Sequence, residues 1–354
     1  MQNIGRVLFA RIGWMHYYKG LMPGDDRVVG GGQWNESHVG GEVFNFRDVG
    51  GWLYAYMEAR GSISLERIDP AKPDDEQLNR ALVIFVARRP SGGQVIVGWY
   101  AHAVVLRHCV TCERRREGIV GIGAGPSGKY SYAKAKASGA VLLPLHKRLF
   151  DGVPAGKGGM GQSNICYVIG QDGSPKKSAW IRDAVAYVNS YRGPNLLTDQ
   201  HADAEQDMAE KASDIVAGGQ GQGFAQNVPQ RKAIERHAMC RAMAYFRKHF
   251  TTVEDVSATR SYDLECRTRA SVLRVEVKGT TGDGSTVFLT RNEVRQARKG
   301  DVALFIQHSI KLRKNRASAG QSVVHWPWKL SQGILQPMAF AYKPPKPHVG
   351  GQKG

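Results

Sequence analysis

Short runs of apolar residues, separated by glycine-rich turns, dominate the first half of the chain. The clearest runs cover residues 7–10, 82–87, 95–100 and 104–106. Runs of this length between turn signals predict β-strands. One helix is predicted at residues 179–191, where aromatic residues and an alanine recur at three- and four-residue steps. The pattern therefore predicts a β-rich domain over residues 1–195.

The pattern changes after a stretch of linker composition. Residues 196–229 contain a polar segment, expected to be helical, and the glycine-rich run from Gly218 to Gly223. Such glycine-rich composition is typical of flexible linkers. The last segment, residues 341–354, is rich in proline, glycine and lysine and is expected to be a flexible basic tail.

Residues 230–340 alternate between helical and strand periodicity, which predicts an α/β domain with a central mixed sheet. The predicted elements are a helix over 230–249, strands over 261–268, 272–278 and 302–307, and a short strand beginning at 288–289. Thr290 and Glu293 form a capping-box pattern that opens a further helix, ending near Gly300. The whole chain is therefore expected to belong to the α+β class.

Two carboxylates are expected to face each other in this second domain. If the predicted strands 261–268 and 272–278 form a hairpin with Arg269-Ala270 at the centre of its turn, Asp263 lies opposite Glu276. Glu265 then lies opposite Arg274, and this pair is expected to form a salt bridge. Like charges in directly opposed positions destabilise a hairpin. A divalent cation between Asp263 and Glu276 would compensate, because hard cations prefer carboxylate oxygens. Lys278 falls on the same face, where it can neutralise charge and position or activate a water.

Glu235 is a further candidate, because its spacing places it on the apolar stripe of the helix over 230–249. A carboxylate on an inward face needs a partner. Two alternatives stay open at this point. Glu235 can pair with an arginine at the helix end. The pattern formed by Asp263, Glu276 and Lys278 can arise by chance, because such loose spacing is common in basic proteins.

Net charge adds a partner class to this picture. The chain of 354 residues carries +18, and the segments 1–110, 111–230 and 231–354 contribute +1, +3 and +14. Neutralisation of phosphates by lysine and arginine dominates nucleic-acid affinity, so the last third is expected to bind nucleic acid. A solvated basic surface is the alternative.

Several other classes are excluded or only weakly indicated. No apolar run is long enough for a membrane helix. The five cysteines are sparse and odd in number, so a disulfide framework is not expected. The absence of such a framework favours the reducing cytoplasm. His108, Cys109 and Cys112 have metal-like spacing, but without a second pair they indicate zinc only weakly. The glycine-rich stretch 121–129 lacks the spacing of a phosphate-binding loop.

Residues 230–310 resemble the C-terminal domain of NO VEIN-type proteins, a branch of the PD-(D/E)XK nuclease superfamily. The matching residues are Glu235, Tyr262-Asp263-Leu264, Val275-Glu276-Val277-Lys278-Gly279-Thr280 and Phe288-Leu289-Thr290-Arg291-Asn292-Glu293. The resemblance implies a restriction-endonuclease-like core, with Asp263 and Glu276 as ligands of Mg²⁺, for which Mn²⁺ can substitute. It further implies that Lys278 is the catalytic lysine and Glu235 an auxiliary acid. A glycine-rich lead-in is usual before the first helix of the family, and Arg231-Lys232-Ala233-Ile234 stands here instead.

The first domain is expected to recognise DNA. A flipped base requires aromatic walls and a few amide or carboxylate groups, and the candidates are Trp14, Trp34, Asn35, Glu36, Trp99 and Tyr100. This composition is loosely similar to that of PUA-like modified-base readers fused to nucleases, which implies a PUA-like barrel. The alternative is that these side chains belong to the core and turns of a β-domain.

A basic cluster in the second domain supplies candidate contacts to the DNA backbone. Its members are Lys311, Arg313, Lys314 and Arg316. A solvated loop is the equal alternative for this cluster.

Together these features predict a cytoplasmic, Mg²⁺-dependent restriction endonuclease that cuts double-stranded DNA, with modification dependence as the favoured subclass. A homodimer is expected, because cutting both strands usually needs two active sites. The alternatives are a conventional sequence-specific restriction endonuclease and a non-catalytic nucleic-acid-binding protein on a nuclease-like scaffold.

Overall fold

The computed structural model describes residues 5–21, 25, 28, 40–59, 61–69, 75–112, 130–199 and 228–335. Below, the first domain means the described residues up to 199, and the second domain means residues 228–335. Most of the predicted linker, the predicted tail and the stretch 121–129 lie outside the described residues. The described elements comprise several sheets and few helices, which confirms the α+β class.

A mixed seven-stranded sheet forms the first domain. Its strands follow the order β2-β5-β4-β3-β1-β7, and β6 pairs with β4. The bounds are β1 Val7–Ile12, β2 Trp52–Ala55, β3 Gln77–Arg88, β4 Gln94–Thr111, β5 Tyr130–Lys136, β6 Ala140–Leu142 and β7 Ile165–Tyr167.

Both faces of this sheet are covered by protein. Leu8 and Ala10 of β1 lie in one hydrophobic core, whereas Val7 and Phe9 lie in a second core on the opposite face. Helix α1 (Ala179–Ser190), predicted from its periodicity, packs into the second core. Continuous apolar strands are expected where both faces of a sheet are buried, which explains the unbroken apolar runs in the sequence.

A second, five-stranded sheet has the order β14-β11-β10-β9-β8 and forms the second domain. Its elements are α2 Val228–Phe246, β8 Thr252–Asp255, β9 Leu264–Arg267, β10 Val272–Gly279, α3 Arg291–Ala297, β11 Val302–His308 and β14 Gln321–His325. Strands β12 (Lys311–Arg313) and β13 (Arg316–Ser318) form a separate hairpin.

The predicted register of the β9–β10 hairpin is confirmed. Glu265 pairs with Arg274, and the alternation places Leu264 and Cys266 in the core beneath α2. The expected ion pair between Glu265 and Arg274 is corrected. Glu265 pairs with Arg267, which lies on the same face of the same strand, and it accepts a hydrogen bond from the Tyr262 hydroxyl at 2.5 Å.

Several predicted elements differ from the observed ones. The two runs at 95–100 and 104–106 belong to the single strand β4, which continues through His102 at a φ of 53°. No strand begins at 288–289. Strands β8 and β14 were not predicted, because their side chains are mostly exposed and give no apolar run. Leu196, assigned to the linker, is fully buried in a core of the first domain.

The glycine that ends β10 lets α2 approach the sheet. A Cβ built on Gly279 would lie 3.0 Å from the Ala238 Cβ and 3.1 Å from the Ile234 carbonyl oxygen. Close approach at this point fixes α2 against the strand that carries Glu276 and Lys278. We therefore expect Gly279→Ala to lower the free energy of unfolding by about 1–3 kcal/mol, through overpacking.

Denaturant unfolding measures this effect. Gly333→Ala is the matched control, because nothing lies within 4 Å of a Cβ there. The control should change stability by less than about 0.5 kcal/mol. Equal stability of both variants would contradict the described packing.

Candidate active site

Asp263 is held at the end of the hairpin by two backbone contacts. Its amide donates to the Val275 carbonyl at 3.0 Å, and its Oδ2 accepts from the Val277 amide at 2.8 Å. These bonds continue the hairpin beyond β9. They place Asp263 across from Glu276, which lies between Val275 and Val277 in the chain. The predicted opposition of two carboxylates is thus present in the fold.

Glu276 and Lys278 project from the same face of β10, as alternation requires. Glu276 is buried, with 4% of its surface exposed. The Lys278 Nζ lies 3.1 Å from the Glu276 Oε1 and 2.9 Å from the Glu293 Oε2. Lys278 therefore bridges two carboxyl groups, only one of which was predicted to belong to the site.

Glu293 joins the site through helix capping. Thr290 caps α3, and the Glu293 Oε2 accepts from the Thr290 amide at 2.9 Å. The same oxygen accepts the hydrogen bond from Lys278. The capping-box pattern predicted the helix correctly, but it could not show that the capping carboxylate also meets the lysine of β10.

The two helices of the domain contribute from opposite faces of the sheet. Helix α2 packs Ala242 and Phe246 against the apolar face of β9 and β10. Helix α3 reaches the other face, because Glu293 contacts Glu276 and Lys278. The site therefore lies between the sheet and the first turn of α3.

Burial and mutual repulsion disfavour the ionised forms of two acids. Burial raises the pKa of Asp263, and the ammonium groups of Lys278 and Lys147 oppose this shift. Burial, followed by repulsion from Asp263 and Glu293, raises the pKa of Glu276 well above its ordinary value. Glu276 therefore favours its protonated form and donates a hydrogen bond to Glu293.

Lys278 and Glu293 keep their charges. Burial alone would lower the pKa of Lys278, but Glu293, Glu276 and Asp263 outweigh it and raise that pKa. Burial alone would raise the pKa of Glu293, but Lys278 outweighs it and the pKa is lowered. Lys278 is thus an ammonium group, suited to stabilising negative charge rather than to accepting a proton.

The donor set at Asp263 and Glu276 fits a hard divalent cation. If both groups were ionised, their carboxylates would repel each other in a buried position, and a cation is the direct compensation for that repulsion. Within the described ranges, no cluster of three or more His, Cys, Asp or Glu residues has metal-site geometry. Mg²⁺ needs no such cluster, since one or two carboxylates with waters and substrate phosphates suffice.

The position of Glu235 corrects one expectation. Its side chain is exposed, whereas the buried series along α2 contains Ala238, Ala242 and Phe246, with Ile234 against Gly279. Four-residue steps from Ile234 define this stripe, so Glu235 lies about 100° away around the helix. Its role as an auxiliary acid stays a prediction.

The base-recognition candidates of the first domain divide into three groups. Trp99 and Tyr100 lie in the cores, 4% and 0% exposed, so neither offers an open face to a base. This burial corrects their assignment to a base pocket. Trp14 is half-buried beneath the Arg148 guanidinium. Trp34, Asn35 and Glu36 lie outside the described residues.

The basic cluster lies on the β12–β13 hairpin. Lys311, Arg313, Lys314 and Arg316 are all exposed. The hairpin lies beside α2, where the Ala319 carbonyl is 2.8 Å from the His237 Nε2. The cluster is therefore a surface feature, as a backbone contact requires. Cys109 is an exposed free thiol and Cys112 a half-buried one.

Comparison with known proteins gives one result. The family model described as Protein NO VEIN, C-terminal, matches residues 234–306, which include Asp263, Glu276, Lys278 and Glu293. No curated protein and no solved structure matches the chain. The resemblance to the C-terminal domain of NO VEIN-type proteins is thus supported for this segment.

None of the helices in the described ranges has the length and apolar character needed to cross a membrane.

The raised pKa of Glu276 predicts a pH-dependent stability that Mg²⁺ reverses. Without metal, the folded state holds the Glu276 proton more tightly than the unfolded state. Stability should therefore fall as pH rises from the ordinary glutamate range through the raised pKa. Mg²⁺ should restore about 1–3 kcal/mol at neutral pH, because it favours the ionised folded form.

Thermal melts across pH, with Mg²⁺ or with EDTA, measure this linkage. Glu276→Gln should lose the Mg²⁺ effect and most of the pH-dependent difference, leaving the contribution of Asp263, whose pKa is also raised. Stabilisation of wild type and Glu276→Gln to the same extent would place the cation elsewhere.

Proposed function

We propose that this protein is a Mg²⁺-dependent endonuclease that hydrolyses phosphodiester bonds of double-stranded DNA. The observation that carries the proposal is the opposition of Asp263 and Glu276 across one hairpin, with the Lys278 ammonium 3.1 Å from Glu276. The segment 231–354 around them carries +14, a charge that attracts phosphates to an otherwise acidic site.

Asp263 and Glu276 are the residues that would hold the cation. When bound there, Mg²⁺ would lower the pKa of the attacking water and neutralise phosphate charge. Lys278, as an ammonium group, would stabilise the negative charge of the pentacovalent phosphorus. Loss of the 3′-oxygen would leave a 5′-phosphate. Glu293 would keep Lys278 charged and directed at the site.

The architecture of the second domain supports this class of enzyme. A mixed sheet has α2 on one face and α3 on the other, with Glu276 and Lys278 on β10 and Asp263 directly before the adjacent antiparallel strand β9. The resemblance to PD-(D/E)XK nucleases implies a metal-binding pair followed by a lysine in this order. A restriction-endonuclease-like core is therefore part of the proposal.

A non-catalytic binding protein is less well supported. Binding to a polyanion gains nothing from two buried acids, whose desolvation is costly.

The exposed cluster of the β12–β13 hairpin would contact the phosphate backbone. A homodimer would supply the second active site needed to cut both strands.

The first domain would select the site of cleavage in this proposal. We favour a modified base as its target and a PUA-like barrel as its fold, with Trp34, Asn35 and Glu36 as remaining candidates. Arg148 covers one face of the Trp14 ring, so at most the other face is available to a base. A cytoplasmic restriction enzyme also fits the five free cysteines.

Substitution of the central residues tests the chemistry. Asp263→Asn and Lys278→Ala should each lower Mg²⁺-dependent cleavage by about 100-fold or more, the scale of losing one electrostatic contact to the transition state. Lys299→Ala is the matched control, since Lys299 is exposed in the same domain. Plasmid nicking and linearisation measure the rates, and wild-type rates for Asp263→Asn would contradict the proposal.

Modification dependence is tested with matched plasmids. We expect cleavage of methylated or otherwise modified DNA and at least about tenfold slower cleavage of the unmodified plasmid, an amount equal to about 1.4 kcal/mol of discrimination. Sequencing of the cut ends identifies the recognised position. Equal cleavage of both plasmids at one defined sequence would identify a conventional restriction endonuclease.

A further inference from the structure

The loop that precedes Asp263 is held by a lysine of the first domain. The Lys147 Nζ donates to the Ser257 carbonyl at 2.6 Å and to the Arg260 carbonyl at 3.4 Å. Both acceptors belong to the loop between β8 and β9, which ends at Asp263. One ammonium group thus ties together two points of this loop.

The intervening carbonyls of the loop are bound by the same domain. The Arg192 amide donates to the Thr259 carbonyl at 2.6 Å, and the Tyr187 hydroxyl lies 3.5 Å from the Ala258 carbonyl. Ala258 also packs against the hydrophobic core beneath α1. Four consecutive carbonyl groups of the loop therefore face donors of the first domain.

Displacement of this loop would displace Asp263. The Val256 amide donates to the Asp263 carbonyl at 2.9 Å, which closes the loop at its base. Lys147 itself sits on a rigid turn, because the adjacent Arg148 is 2% exposed and donates to the Met15 and Leu143 carbonyls. The first domain thus offers a fixed support for the loop.

A second contact from the first domain supports the start of α3, the helix that carries Glu293. The Asp199 carboxylate accepts from the Arg291 guanidinium at 2.8 Å and from the Asn292 amide group at 3.2 Å. These are the first two residues of α3, and the third is Glu293, which binds Lys278. Asp199 therefore fixes the turn of helix from which Glu293 reaches Lys278.

We propose that Lys147 and Asp199 are positioning residues, through which the first domain holds the Asp263 loop and the Glu293 helix in their active arrangement. The proposal rests on the proposed nuclease function for its kinetic consequence only. It gives the first domain a role beyond recognition, since the site of the second domain is incomplete without support from the first.

Two variants of the full-length chain test this role. Lys147→Met keeps the length of the side chain and removes its donors, and Asp199→Asn removes the charge that Arg291 binds. The controls are Lys157→Met and Asp183→Asn, which change exposed residues of the same domain. Hydrogen exchange of backbone amides in 256–264 and 290–294 gives a readout independent of activity.

We expect Lys147→Met to speed exchange in 256–264 and Asp199→Asn to speed exchange in 290–294, with the rest of the chain protected as in wild type. Each variant should lower kcat by about 10- to 100-fold at nearly unchanged KM, because misplacement of a catalytic group affects the chemical step. Lys147→Arg should recover part of kcat. Wild-type exchange in both segments would overturn the proposal.

The outcomes separate this inference from the nuclease proposal. A wild-type protein without cleavage, combined with faster exchange in the variants, would reject the nuclease proposal and keep the positioning role. An active wild type with normal kcat in both variants would reject the positioning role alone. If Lys147→Met unfolds the whole chain, Lys147→Gln decides, because its shorter, uncharged side chain cannot donate to both carbonyls: wild-type exchange in 256–264 together with undiminished kcat would overturn the role of Lys147.

Discussion

The opposition of Asp263 and Glu276 is the electrostatic constraint on which the second domain depends. Two acids brought face to face by a hairpin repel each other, and burial of Glu276 removes the solvent that would screen them. Lys278 on the same strand lies 3.1 Å from Glu276, and the pKa of Glu276 is raised well above its ordinary value, which favours the neutral acid. Two opposed acids in a buried position lower the stability of a domain, so stability alone does not explain this arrangement.

The neutralising groups connect the site to the rest of the molecule. Lys278 remains charged because Glu293 reaches it from α3, and one oxygen of Glu293 both caps that helix and accepts from the lysine. The beginning of α3 is in turn bound by Asp199 of the first domain. The capping of a short helix and the charge state of the central lysine are therefore parts of one network.

Some of the site was predictable because it follows from strand geometry. Alternation and an assumed two-residue turn gave the register that pairs Glu265 with Arg274, and hence the opposition of Asp263 and Glu276. Long-range choices were not predictable. The hairpin offers Glu265 two arginine partners, Arg274 opposite it and Arg267 two residues later, and the structure pairs it with Arg267. Glu235 directly follows Ile234, the residue at which the buried stripe of α2 begins before it continues at Ala238.

The sequence by itself determined the α+β class, the helices α1 and α2, the strands of the β9–β10 hairpin and the location of the excess positive charge. These features depend on local periodicity, on residue type and on simple counting. Only the tertiary structure decided that Trp99 and Tyr100 are core residues, that Glu293 meets Lys278, and that Lys147 supports the loop before Asp263. Such contacts join residues that are distant in the chain, and their partners are selected by the packing of whole elements, which no local pattern records.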